Sequence, residues 1–180
     1  AILSRELFPI LYGDAYNNVA VDKLMGAVGD YFPSPTEAPG LAAKDVDGND
    51  VELASGADGN LAAFVFKTVG EQHVGELSFL RMYSGTLKQG DEVTNTMRNN
   101  TERIGQVFQL NGHNRTEVES ASAGDIVALV KLKDTHTGNT LCGKGQSLAL
   151  GPVTFSDPLI RVAISPREKG SEERMATGLA

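Results

Sequence analysis

A single cysteine, Cys142, stands in this chain of 180 residues. That excludes an internal disulfide and any multi-cysteine metal site. Cys142 follows Leu141 in a strand-like stretch, so a buried apolar thiol is expected there and not a nucleophile. Long apolar runs are missing too: none approaches the roughly 18–20 residues that a membrane-spanning helix requires. The opening residues, Ala1-Ile2-Leu3-Ser4-Arg5, lack the basic region and apolar core of a secretory signal. The expectation is a cytoplasmic protein with no membrane partner.

An excess of positive charge is also absent. The net charge is −7, which argues against a general nucleic-acid binder. The distribution qualifies this. Residues 58–156 carry nine of the 16 Lys and Arg against ten of the 23 carboxylates, and residues 1–57 hold most of the acidic excess. The middle of the chain is therefore able to present a basic face.

Catalytic constellations are missing as well. His73, His113 and His136 sit in polar, turn-like segments, and none lies four residues from another, so neither a zinc pair nor an oriented base is indicated. The carboxylates are scattered. Asp91 and Asp125 each follow a glycine, where Asp commonly accepts hydrogen bonds from nearby backbone amides. The stretch Gly138 to Gly145 nearly fits a phosphate-binding loop, but Gly145 replaces the Ser or Thr that would ligate Mg²⁺. It also leads into Gln146–Leu150, which reads as a strand where such a loop must open a helix.

What the sequence does contain is alternation. Leu61–Val69, Glu76–Met82, Glu92–Met97, Arg103–Leu110, Asp125–Leu132 and Gln146–Leu150 read as strands punctuated by glycine turns. That spacing predicts a mainly β protein built on a closed antiparallel barrel. Before it, Phe8–Tyr12 reads as a buried strand. Val21, Leu24, Met25, Val28, Tyr31 and Phe32 form the stripe of a helix, capped by Asn17 or Asn18 and stopped by Pro33. These predict a short α/β remnant over residues 1–35. Pro33–Gly40 opens a linker region, residues 36–60, with a small hairpin at Val46–Val51 turned by Asp47-Gly48. The barrel is expected over 61–156. Another strand at Pro158–Ile164 and a helix from Glu172 would begin a further domain over 157–180.

Among the cations, Lys67, Arg81, Arg103, Arg115, Lys131 and Lys133 are candidates for partner binding. Lys131 and Lys133 would share one strand face by the two-residue period. Their choices are a solvated surface or the phosphates of a structured RNA.

Four blocks carry a resemblance: Leu77–Leu87, Glu102-Arg103-Ile104-Gly105, Ala123-Gly124-Asp125-Ile126 and Leu132–Leu141. In order and spacing they resemble the second domain of bacterial elongation factor G. The resemblance implies a Greek-key barrel of the translation-factor type. It implies a parent translational GTPase that binds the ribosome and promotes movement of tRNA and mRNA. The barrel would contact small-subunit ribosomal RNA and, within the chain, the GTP-binding domain and a third domain. Arg81, Arg103, Lys131 and Lys133 become candidates for RNA contact. Gly13, Asp14 and Ala15 correspond to the guanine loop, with the Ala15 amide donating to the guanine O6. GTP or GDP and Mg²⁺ belong to the parent, and none is expected on this stretch, which alone is not an enzyme. Asp14 stands where Ser is usual and Lys131 where Gly is usual, features of a divergent paralogue. Asp14 would weaken nucleotide binding. Two alternatives stay open: a barrel that binds RNA or protein without any nucleotide role, and another ribosomal GTPase of the release-factor-three-like or tetracycline-protection-like kind.

Overall fold

The computed structural model describes residues 1–180 apart from 3, 5, 46, 72–74, 113, 152 and 180, and the side chain of Glu71. His73 and His113 therefore lie outside the described residues. Among the described residues, thirteen strands and two helices make it a mainly β structure. The helices are α1 (Val21–Tyr31) and α2 (Glu172–Leu179). The strands are β1 (Leu41–Asp45), β2 (Asp50–Leu53), β3 (Ala62–Glu71), β4 (Gly75–Ser84), β5 (Thr86–Lys88), β6 (Glu92–Asn95) and β7 (Asn100–Arg103). They continue with β8 (Val107–Asn111), β9 (Asn114–Val118), β10 (Ser120–Ser122), β11 (Ile126–Val130), β12 (Thr140–Gly143) and β13 (Leu148–Leu150).

Eight strands form one sheet in the order β7-β6-β12-β3-β4-β11-β8-β9, beside a β10-β5 ladder and a three-stranded sheet β13-β1-β2. Neighbours that are distant in sequence, such as β6 with β12 and β4 with β11, require the chain to cross over. The alternation explains the core. Val65, Leu80, Val93, Val107, Leu129 and Leu141, from six strands of the sheet, join Leu87 and Ala121 of the small ladder in a single buried cluster. Sheet and ladder thus wrap one interior. Bonds outside the ladders draw separate pieces together: Gly90 N–H donates to the Ile104 carbonyl at 2.9 Å, Ile104 N–H to Asp91 at 2.8 Å, and Gln89 N–H to Glu119 at 3.2 Å. Burying side chains of this size stabilises by about 1.5–3 kcal/mol each.

Two of the expected glycine turns are fastened as the sequence implies. Gly90 and Gly124 adopt φ of 91° and 99°. The following Asp91 and Asp125 carboxylates accept from the Lys88 and Ser122 amides, both at 2.8 Å. Gly124 is also held by space, since a Cβ there would come within 2.4 Å of the Pro35 ring.

Several expectations are corrected. Phe8–Tyr12 is not a buried strand: it forms no ladder, and Phe8 and Tyr12 are 75% and 87% exposed. A strand needs a neighbour to accept its amides, and none of the described residues supplies one. Among the described residues, 1–35 hold only α1 and an isolated bridge between Asp14 and Val19. Pro158–Ile164 likewise forms no strand and is exposed for the same reason. Helix α1 forms over the expected span, but its cap is Ala20 at φ 59°, with no side-chain bond. Asn17 instead donates its backbone and side-chain N–H groups to Asp14 in the preceding turn, and the cap position falls at Ala20. The stretch Arg103–Leu110 splits between β7 and β8. The hairpin is wider than Val46–Val51: β1 and β2 pair from Leu41 to Leu53, and β13 joins them.

Candidate functional site

The segment from Lys131 to Asn139 leaves the sheet after β11 and is held from beneath by two buried side chains. Glu102 is 5% exposed and Asn95 is 0% exposed. The Glu102 carboxylate accepts from the Lys133 and Asp134 amides, at 2.9 and 2.8 Å, and from the Thr135 hydroxyl at 2.9 Å. Asn95 Nδ2 donates to the Asp134 carbonyl, Thr135 Oγ1 and Asn139 Oδ1 at 3.0–3.1 Å. Its Oδ1 accepts the Met97 and Arg98 amides in return. A buried carboxylate with three donors is satisfied, so the loop is fixed and not merely covering the surface. Neither residue was marked as functional by sequence reasoning. The only signal was the position of Glu102 between Thr101 and Arg103, where alternation in a strand turns it inward.

The loop's outward face carries the candidate cations. Lys131 and Lys133 are both exposed, with buried Leu132 between them. They do not share a strand face as expected. Strand β11 ends at Val130, and Lys131 has φ 61°, a left-handed conformation that turns the chain out of the ladder. Asp134 would oppose these cations, but it faces Arg98 Nε at 3.6 Å, and Asn100 Nδ2 donates to it at 3.4 Å. His136, exposed as expected, lies 3.6 Å from Asp134 and 3.7 Å from Glu76.

The other candidates are placed differently. Arg103 ends β7 opposite Glu92, whose carboxylate it helps keep charged. Arg81 lies on β4 opposite Ile126, 5.3 Å from the Tyr83 ring. Val130, next to Lys131, pairs with Leu77, so Arg81 stands four residues away, roughly 13 Å along the strand. The structure therefore brings Lys131 and Lys133 together with the Glu102 end of β7, and it does not bring Arg81 to them.

The Gly138–Gly145 stretch is no phosphate loop. It contains β12, and the Lys144 ammonium is paired with the Glu92 carboxylate. That pairing holds Glu92 below its ordinary range and Lys144 above its own. Cys142 is fully buried, and burial pushes its thiol up. Among the described residues no group of three metal-ligating side chains forms, and no helix is long and apolar enough to cross a membrane.

In the Gly13-Asp14-Ala15 loop, Asp14 folds back. Its carboxylate accepts the Tyr16 amide at 3.0 Å and the Asn17 amide at 3.2 Å. The Asn17 side chain, with these amides, lowers the Asp14 pKa. Asp14 N–H and Val19 N–H exchange bonds with the opposite carbonyls at 3.1 and 2.8 Å. A Cβ on Gly13 would press to 2.9 Å from the Val19 carbonyl oxygen, so the turn is closed by glycine there. Among the described residues the Ala15 N–H has no acceptor. A shallow cleft of ≈ 200 Å³ runs beside it, lined by Tyr12, Gly13, Ala15 and Leu24 among others.

Residues 60–144 match the family model described as elongation factor G domain 2. The elongation factor G of Rhodopseudomonas palustris (strain BisB18) is 39% identical over 180 residues, covering 100% of this chain and 26% of the relative. That of Ureaplasma parvum serovar 3 is 37% identical over 179 residues, covering 99% of this chain and 26% of its own length. A crystal structure of a protein from Thermus thermophilus is similar with a TM-score of 0.68 and 26% identity, over 91% of this chain and 22% of that one. The chain thus spans about a quarter of the length of the curated relatives it matches. It is an elongation-factor-G-like segment whose residues 60–144 correspond to that family's second domain.

Proposed function

We propose that this chain docks on the ribosome and couples nucleotide state to movement within a translational GTPase that promotes translocation of tRNA and mRNA. Residues 61–156 act as one closed Greek-key barrel. Residues 1–35 end the GTP-binding domain, 36–60 link it to the barrel, and 157–180 open a third domain. The parent works in the cytoplasm. The observation that carries the reading is the Glu102 clamp, which fixes the loop at Lys133 and Asp134, next to exposed Lys131. Cations presented that way meet phosphates without reading bases, which suits a structured RNA such as that of the small subunit. Arg103, opposite Glu92 at the end of β7, and Arg81, on β4, serve separate surfaces.

Nucleotide enters only at the edge of this segment. Gly13, Asp14 and Ala15 would border the guanine, and the unengaged Ala15 amide suits the guanine O6. Bound GTP with Mg²⁺ would supply the hydrolysable phosphate from elsewhere in the parent, and no residue discussed above for this segment would hold the metal. The barrel itself performs no hydrolysis.

The deciding experiment is co-sedimentation of the full-length protein with ribosomes across a salt series. Replacing Lys131 and Lys133 together with Ala should weaken binding and flatten the dependence of log affinity on log salt by about 1.5, two phosphate contacts' worth. An unchanged slope returns both lysines to solvent, and absence of co-sedimentation under every nucleotide condition rejects the function.

A further inference from the structure

A second apolar cluster lies on the opposite face of the sheet from the main core. Leu77, Ala128 and Val130 are buried there against the partly exposed Phe79, Phe108 and Leu110. Their strand neighbours Leu80, Val127 and Leu129 point into the interior, as alternation demands. The ladder registers set out rows across this outer face. One row runs Lys67, Phe79, Ala128, Phe108, Glu117. The next runs Phe64, Arg81, Ile126. The register shift between Val65 and Lys67 inserts Phe66. Phe66 is 40% exposed, its ring centroid 6.4 Å from that of Phe79. Lys67 Nζ sits 5.3 Å from the Phe79 centroid, and the Arg81 guanidinium sits 5.3 Å from that of Tyr83.

We propose that this face binds single-stranded RNA, with unpaired bases stacking on Phe66 and Phe79 while Lys67 and Arg81 meet the phosphates. Charge and chemistry select the occupant together. An apolar protein segment would match the rings but would take two cations out of water with no anion to pair them. A nucleic-acid strand brings a π-face and an anion at each step, and the rows offer an aromatic and a cation side by side. The carboxylate of these rows, Glu117, is engaged by the Gln89 and Gln106 side-chain amides, at 3.5 and 3.0 Å, on the far side of the platform from Lys67. The inference rests on the RNA-binding reading above but uses another surface, centred on Phe79 and not on the Lys131–Asn139 loop.

The test is fluorescence anisotropy of the 180-residue chain with a labelled single-stranded oligouridylate and with a duplex RNA of equal length. The single strand should bind more tightly. Phe66→Ala should weaken it on the order of five- to tenfold, with little change in salt slope, and Phe66→Leu should lose most of the same affinity while keeping the apolar area. Lys67→Ala and Arg81→Ala should each reduce the salt slope by about 0.7. Equal binding of duplex, indifference to both Phe66 variants, or self-association through this face in place of RNA binding would overturn the proposal. If the oligonucleotide arm fails while ribosome co-sedimentation persists, the stacking face falls and the docking reading stands.

Discussion

Glu102 and Asp134, 32 residues apart in sequence, meet through a 2.8 Å hydrogen bond from the Asp134 N–H to Glu102 Oε1. The same carboxylate takes the Lys133 N–H and the Thr135 hydroxyl. Truncating it leaves three donors in a buried site. Glu102→Ala should therefore lower stability by on the order of 2–4 kcal/mol in urea denaturation. Glu102→Gln should cost roughly half as much, because its amide NH₂ faces a donor where an oxygen stood. Hydrogen exchange at the Lys133 and Asp134 amides should rise in both variants. A Glu102→Ala midpoint and exchange pattern matching the parent would show that the clamp does not hold the loop.

The Glu92–Lys144 pair gives a pH signature. Lys144 lowers the Glu92 pKa from its ordinary 4.5, and Glu92 raises the Lys144 pKa from its ordinary 10.5. A carboxylate with a depressed folded value contributes stability above its unfolded value and loses it as pH falls through the folded one. A raised lysine contributes below its unfolded value and loses it as pH rises through the folded one. The pair's contribution is therefore full between about 4.5 and 10.5 and disappears on either side. Both side chains are solvated, so the effect should be small and screened by salt. Lys144→Ala should denature slightly earlier than the parent at pH 7 in low salt, and the two should converge in acid once Glu92 is protonated, or in about 1 M salt. A gap that persisted in acid would assign Lys144 a different role.

How far the sequence foretold the fold depended on whether a residue's environment is local. Strands β3, β4 and β11 were legible because Val65, Leu80 and Leu129 lie in short runs rich in Val, Ile, Leu and Phe bounded by glycine, and Asp91 and Asp125 were legible because Gly-Asp fixes its own turn. Strand β9, Asn-Arg-Thr-Glu-Val, carries one apolar residue and forms by pairing with β8, so no periodicity marks it. Phe8–Tyr12 failed for the converse reason: apolar composition says nothing about whether a neighbouring strand is present. Alternation along β7 turns Glu102 inward, but its partners belong to a loop that arrives 31 residues later, a relation that no local pattern encodes. The cation surface was half legible: Lys131 and Lys133 are exposed, but the strand meant to align them ends one residue before Lys131.

Asp14 offers a test of the guanine loop. Its carboxylate is held charged by Asn17 and the neighbouring amides, beside the Ala15 N–H proposed to meet the guanine. In the full-length protein, Asp14→Ser should keep a weaker turn bond and remove the negative charge from an acceptor-rich purine edge. GTP should bind a few-fold more tightly by calorimetry, with the gain constant from pH 6 to 8 because Asp14 is ionised throughout that range. No gain would mean that the folded-back carboxylate is already silent toward the nucleotide.

Lys131 sets stability against binding at one position. With φ at 61° it occupies a conformation that costs an L-residue roughly 1–2 kcal/mol and glycine almost nothing. Glycine also entails a larger entropy loss on folding, so Lys131→Gly should stabilise the chain by a net ~0.5–1 kcal/mol, and Lys131→Val should destabilise it. If Lys131 meets RNA phosphate, the glycine variant should at the same time lose ribosome affinity and about 0.75 in salt slope, one phosphate contact's worth. A stabilised protein with weaker, less salt-sensitive binding would identify Lys131 as a strained residue held for its charge. A glycine variant that was no more stable would remove the strain from the account, and one that bound ribosomes as before would remove the phosphate contact.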